Sequence, residues 1–296
     1  MSETTQSLSQ ETQLAAAGRI SRRFAALAER SELGIVAYLT AGDPTLAASE
    51  EIVLAVAEAG ADVIELGVPF SDPMADGPII QRASERALRS GTTLAGVLSL
   101  ARRVRAKTDV PLVLFSYYNP ILQAGLERFA NDAATAGIDG VLVTDLTPEE
   151  AGDYRTAVRD RGLDTIFLAA PTSTDARLKL IAKATTGFLY LISRTGVTGT
   201  RDALPEGLPA LVRRVRAATK LPVAVGFGIS LPTHVSVLGG IADAAVVGSA
   251  LVAQVESAAN PQAAARAVGD LIRSLKEAAR AGVSRRSAQP GSEQTP

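Results

Sequence analysis

The 296-residue sequence has no cysteine, which removes disulfides, thiolate nucleophiles and cysteine-based metal sites together. It has one histidine, His234, so no multi-histidine metal centre can form, and no metal is expected. His234 follows Ser230 and Pro232 on an expected helix and reads as surface structure. An excess of positive charge is also missing: 30 Lys and Arg stand against 31 Asp and Glu, a net charge of −1. Nucleic-acid backbone binding needs clustered cations, so nucleic acid is not an expected partner. No apolar run approaches the roughly eighteen residues of a membrane span; AAVVGSALVAQV is the nearest and is too short. The polar N-terminus, MSETTQSLSQETQ, has no apolar centre and reads as neither secretory signal nor anchor. A soluble, cytoplasmic protein is expected.

Hydrophobic residues, at 47%, are plentiful enough for a large core. Short β-branched runs recur along the chain, each bounded by Gly, Pro or Asp and followed by an amphipathic stretch. They are GIVAYLT (34–40), DVIELGV (62–68), PLVLFSY (111–117), DGVLVTD (139–145), DTIFLAA (164–170), GFLYLIS (187–193), PVAVGF (222–227) and DAAVVG (243–248). Near-continuous apolar strands alternating with helices imply a parallel sheet covered on both sides. Eight such units close into a (β/α)₈ TIM barrel. An open doubly wound sheet is the alternative, but TAGDPT is not the G-x-G-x-x-G turn it would place after its first strand. The expected organisation is a polar tail over 1–12, one α/β barrel domain over 13–281 with an extra N-terminal helix, and a Ser-, Gln- and Pro-containing tail over 282–296.

The densest chemistry lies in ELGVPFSDPMADGP (65–78), with three acids and three prolines in fourteen residues. Active-site residues of such barrels come from strand C-termini and the loops just beyond. Glu65 sits near the end of the second strand and Asp76 in the following loop. A carboxyl group among apolar walls has its charged form desolvated and its pKa raised, whereas a loop aspartate near water ionises more easily. Two carboxyls pushed apart in this way make an acid–base pair without histidine. Local sequence alone leaves alternatives: Glu65 could pair with an arginine, Asp76 could cap the next helix, and Asp72 before Pro73 could only start a turn.

Glycine-rich stretches follow the sixth, seventh and eighth runs: SRTGVTG, GFGIS and VVGSALV. Backbone N–H groups around Gly196, Gly228 and Gly248, with Ser249 at a helix start, can cradle a dianion. On the residues alone this is a barrel acting on a small phosphorylated substrate by carboxylate acid–base chemistry.

GIVAYLTAGDP, ELGVPFSDPMADGPIIQ, LISRTGVTG, VGFGIS and GSALV, in that order, closely resemble the tryptophan synthase alpha subunit family, from about Leu14 to Ala281. The resemblance implies cleavage of indole-3-glycerol phosphate to indole and glyceraldehyde 3-phosphate. It implies Glu65, Asp76 and Tyr190 as the catalytic set, and Gly196, Phe227, Gly228, Gly248 and Ser249 around the substrate phosphate. Tyr38, Ile80, Phe115, Tyr117 and Leu142 fall on the indole pocket, with Tyr38 at a position the family often fills with Phe. It implies no cofactor in this chain. The expected partner is a beta subunit carrying pyridoxal phosphate, in a heterotetramer of two alpha and two beta chains. Asp72, Pro73, Met74 and Thr195, in the loops after the second and sixth strands, are then lid and interface residues. Two other functions share these motifs: a stand-alone indole-3-glycerol phosphate lyase and a non-catalytic phosphate-binding barrel.

Overall fold

A computed structural model describes residues 18–193, 204–226 and 228–287, with 282–287 described by backbone alone. Among the described residues the strands are β1 (Gly34–Thr40), β2 (Val63–Gly67), β3 (Leu112–Ser116), β4 (Gly140–Val143), β5 (Asp164–Ile166), β6 (Leu168–Ala169), β7 (Leu189–Ile192), β8 (Val223–Gly226) and β9 (Ala244–Val247). Each of the eight expected runs holds a strand, and the fifth is interrupted at Phe167 into β5 and β6. The sheet runs β5-β4-β3-β2-β1-β9-β8-β7-β6 with parallel pairing between neighbours. Its two end strands are consecutive pieces of one segment, and the Tyr190 N–H donates to the Phe167 carbonyl across the break at 3.3 Å. The sheet therefore closes into a TIM barrel.

Alternation along the strands separates two apolar layers. Ile35, Ala37, Leu39, Ile64, Leu66, Leu112 and Leu114 face outward into the layer under the helices. Val36, Val63, Val113, Leu142, Ile166, Ala224 and Ala244 face inward and fill the barrel. The N-terminal end of the barrel is stoppered by the helix Arg19–Glu29, whose Ile20, Phe24 and Leu27 join the inner cluster. Phe24 meets Phe188 with ring centroids 5.6 Å apart. With that end sealed by apolar side chains, the other end is left for the polar chemistry.

Four reciprocal backbone clasps tie the strand starts in pairs at the sealed end. Ile35 donates its N–H to Asp62 Oδ2 (2.8 Å), and Asp62 donates its own N–H to the Ile35 carbonyl (2.8 Å). Leu112 does the same with Asp139 (2.8 and 2.8 Å) and Val223 with Asp243 (2.7 and 2.9 Å). Thr165 pairs likewise with Thr186, whose hydroxyl replaces the carboxylate (2.9 and 2.8 Å). Each clasp satisfies a strand-end N–H that would otherwise be buried without an acceptor. Cations complete the three aspartates: Lys276 on Asp62 (2.7 Å), Arg105 on Asp139 (2.7 Å) and Arg216 on Asp243 (2.8 Å). Arg19, from the stopper helix, also reaches Asp139 at 3.1 Å.

Threonines start several outer helices: Thr45, Thr93 and Thr174 accept from the N–H three residues on. The last helix, Pro261–Ser287, packs across Leu46–Glu58 and runs past residue 281, where the tail was expected to begin. Residues 1–17 and 288–296 lie outside the described residues.

Candidate active site

At the open end of the barrel lies a cavity with an empty volume of ≈ 570 Å³, including the part open to solvent. Tyr38, Asp76, Ile80, Phe115, Tyr190, Gly228, Gly248 and Ser249, drawn from both halves of the barrel, all line it. Sequence reasoning missed Ala75, Ile229, Ser230, Val246 and Ala250, which line it too. Three of these five, Ala75, Ile229 and Ala250, adjoin expected site residues, and Ser230 and Val246 lie two positions from one; that proximity was the available signal.

Glu65 sits on β2, paired in register with Tyr38 on β1 and Val113 on β3. It is fully buried, and neither carboxyl oxygen has a hydrogen-bond partner among the described residues. Among the described residues no arginine meets it, so the ion-pair alternative finds no partner there. Loss of hydration disfavours its charged form and pushes its pKa up to about 8. Glu65 is not itself a cavity-lining residue. Tyr38 and Tyr190, which are, both feel its charge, and burial holds their hydroxyls well above the usual tyrosine range.

Asp76 is 8% exposed and takes a different set of contacts. The helix Pro78–Arg89 begins on Gly77 with no side-chain cap, so Asp76 does not cap it. Its Oδ2 instead accepts from the Tyr117 hydroxyl at 3.2 Å. Burial raises its pKa to about 6, opposed by that hydrogen bond, which favours the ionised form. The Tyr117 oxygen also accepts the Ala75 N–H at 2.9 Å, and the ring stacks on Phe70 at 5.0 Å. Tyr117, expected in the indole pocket, thus stands behind the loop and fastens it to the end of β3. Leu142, also expected there, sits deeper, in the inner apolar cluster.

The two cavity tyrosines fit because neighbouring strands lack side chains opposite them. A Cβ at Gly67 would lie 2.3 Å from the Tyr38 hydroxyl oxygen, and one at Gly226 would lie 2.4 Å from that of Tyr190. Tyr38 packs edge-on against Phe115, centroids 5.1 Å apart at 77°, which gives the cavity an aromatic wall.

On the far side, Gly228 has φ +96°, a left-handed conformation that turns the chain after β8. Gly248 and Ser249 open the helix Ser249–Ser257, whose first N–H groups lack intrahelical acceptors and can receive an anion. The helices behind the two halves of the site are cross-linked. Arg82 and Arg86 both reach Glu256 at 2.7 Å, and Arg86 also forms a two-bond pair with Asp43 at 2.8 Å each.

Asp72 accepts from the Ser71 hydroxyl and, through its carbonyl, from the Met74 N–H at 2.9 Å, so it does shape a turn. Met74 is 83% exposed at the loop tip. Thr195, Gly196 and Phe227 lie outside the described residues. His234, expected on the surface, is buried at 3% exposure because His234, Val235 and Leu238 form the inward face of the helix Pro232–Leu238.

A family profile described as tryptophan synthase alpha chain matches residues 24–280. The tryptophan synthase alpha chain of Solibacter usitatus is 54% identical over 258 residues, covering 87% of this chain and 97% of that protein. Among solved structures, a Mycobacterium tuberculosis tryptophan synthase superposes with a TM-score of 0.82 at 36% identity, over 89% of this chain and 99% of that one. Tryptophan synthase subunit alpha from Legionella pneumophila gives 0.79 at 36% identity, over 88% and 98%.

Proposed function

The chain belongs to the tryptophan synthase alpha chain family, and from that premise we propose how its residues cleave indole-3-glycerol phosphate to indole and glyceraldehyde 3-phosphate. The observation that carries the proposal is the pair of carboxyls at one barrel mouth, held on opposite sides of neutral pH.

Breaking the bond between indole C3 and the glycerol chain needs C3 protonated first. Otherwise the electron pair of that bond has no place in the ring. Glu65, still protonated at neutral pH, is the donor. Its carboxyl swings from its buried position toward the cavity and gives the proton to C3. Positive charge then develops at the indole nitrogen. Asp76, largely ionised at the same pH, accepts that N–H and stabilises the charge in a water-poor site. The C3–C bond breaks and its electron pair returns to the ring. The adjacent carbinol loses its hydroxyl proton to the Glu65 carboxylate as the aldehyde forms. Glu65 ends protonated, as it began, so one residue serves as acid and base in turn. Tyr190 walls the reacting carbon, with Tyr38, Ile80 and Phe115 around the ring. Gly228, Gly248 and Ser249, together with Gly196 and Phe227, hold the phosphate and so fix the depth at which C3 lies.

The loop Phe70–Pro78 exposes Asp72 and Met74, with Pro73 half-buried between them, which supports the reading that a beta subunit docks over this mouth. In that reading the heterotetramer holds two alpha and two beta chains, and pyridoxal phosphate resides on the beta subunit. Thr195, which follows β7 in the sequence, is assigned to the same contact. Among the described residues no helix is long and apolar enough to cross a membrane, consistent with a cytoplasmic assembly.

Indole release from indole-3-glycerol phosphate, measured for the purified chain alone and with a beta subunit, tests the whole reading. Equal amounts of indole and glyceraldehyde 3-phosphate are expected, with a faster rate in the mixture. Full activity alone without complex formation would assign a stand-alone lyase. No indole under either condition would leave a non-catalytic phosphate-binding barrel.

A further inference from the structure

The only histidine in the sequence is buried beside the phosphate end of the cavity, and the chemistry above gives it no part. Its Nδ1 lies 3.2 Å from the Ser230 backbone nitrogen. A backbone N–H can only donate, so Nδ1 is the acceptor, and a neutral ring must carry its proton on Nε2. That Nε2 is itself buried with no hydrogen-bond partner among the described residues. An apolar side chain would avoid this cost, so the position gains from histidine only through the bond at Nδ1.

That bond falls at a sensitive place. Gly228, Ile229 and Ser230 form the turn between β8 and the helix Pro232–Leu238, and all three line the cavity. Gly228 is left-handed there, and the Ser230 N–H is spent on the imidazole rather than facing the cavity. The Ser230–His234 bond therefore pins one end of the turn that carries Gly228 to the helix Pro232–Leu238.

We propose that His234 is a positioning residue for substrate phosphate, fixing the Gly228–Ser230 turn through its Nδ1 acceptor. The inference rests on the placement of the phosphate at Gly228, Gly248 and Ser249. Without the acceptor, the Ser230 N–H must find another partner by rotating its peptide, and this loosens the turn that carries Gly228.

The test compares the full-length wild type with His234→Leu, His234→Asn and Gly228→Asp, using calorimetric titration of glycerol 3-phosphate and of indole. In His234→Leu the dissociation constant for glycerol 3-phosphate should rise about three- to tenfold, the worth of one neutral hydrogen bond, with indole affinity unchanged. In His234→Asn the amide oxygen can stand where Nδ1 stood, and affinity should return to within about twofold of wild type. Gly228→Asp should abolish glycerol 3-phosphate binding. If Gly228→Asp does so while His234→Leu binds normally, the positioning role is wrong and the phosphate site stands. If Gly228→Asp also binds normally, the placement of the phosphate is wrong and the inference falls with it. Equal weakening of both ligands in both His234 variants, with a lowered melting temperature, would mean a purely structural histidine and would equally overturn the proposal.

Discussion

Replacing Glu65 by glutamine should stabilise the protein, and should do so only where the carboxyl is forced to ionise. In the unfolded chain Glu65 titrates near its ordinary 4.5, and in the folded chain near 8. Below 4.5 both states hold the proton and the group contributes no pH dependence. Between 4.5 and 8 the folded state holds a proton that the unfolded state has released, so stability falls as pH rises. Multiplying the shift by 1.36 kcal/mol per pH unit gives a loss of about 5 kcal/mol complete above pH 8, and about 3 kcal/mol already incurred at pH 7. Glutamine has nothing to ionise, so Glu65→Gln escapes this loss. Comparing the two proteins at one pH cancels every other titrating group, Asp76 included. Urea unfolding at pH 5, 7 and 9 should therefore show curves within about 1 kcal/mol at pH 5 and separated by about 4–5 kcal/mol at pH 9, the variant being more stable. A constant offset from desolvating the amide would shift all three points together. Curves that stay parallel across the range would refute the claim that this carboxyl is buried and protonated at neutral pH.

Tyr117→Phe removes the donor to Asp76 Oδ2, and with it a bond that favours the ionised carboxylate. The acidic limb of the pH–rate profile should move to higher pH and kcat should fall; an unmoved limb would mean that Tyr117 only packs. Gly42→Ala should cost about 2–4 kcal/mol by thermal or urea unfolding, because φ is +87° and an added Cβ would lie 2.0 Å from Thr92 Oγ1; a change under about 0.5 kcal/mol would contradict the packing of this turn. Asp72→Ala, at an exposed loop tip, should reduce the stimulation of cleavage by a beta subunit more than it reduces basal cleavage. Steady-state rates with and without the partner give the ratio, and an unchanged ratio would remove Asp72 from the interface.

What the sequence made legible was whatever is written in local pattern. Runs such as GIVAYLT and PLVLFSY carry strand identity in consecutive β-branched residues, and ELGVPFSDPMADGP places two carboxyls at a strand end and in its loop. What it hid depends on which strands lie side by side. The clasps made by Asp62, Asp139 and Asp243 begin three of the runs, yet the residues they bind lie 20 to 27 positions earlier. Tyr117 was placed in the pocket by resemblance alone, and nothing in the local pattern showed that its hydroxyl reaches 41 residues back to Asp76. Nothing near Tyr38 reveals that Gly67 must lack a side chain beside it. His234 looked exposed because a seven-residue helix gives too few turns for its inward face to show in the pattern.

The most direct test is the turnover of Glu65→Gln with indole-3-glycerol phosphate, read as indole formed per active site and set beside its affinity for glycerol 3-phosphate. Glutamine keeps the shape but has no proton to give to C3. Turnover should fall by at least ~10²–10⁴, with the phosphate ligand bound as tightly as in the wild type. Turnover within a few-fold of wild type would show that another group delivers the proton, and the role assigned to Glu65 would be wrong.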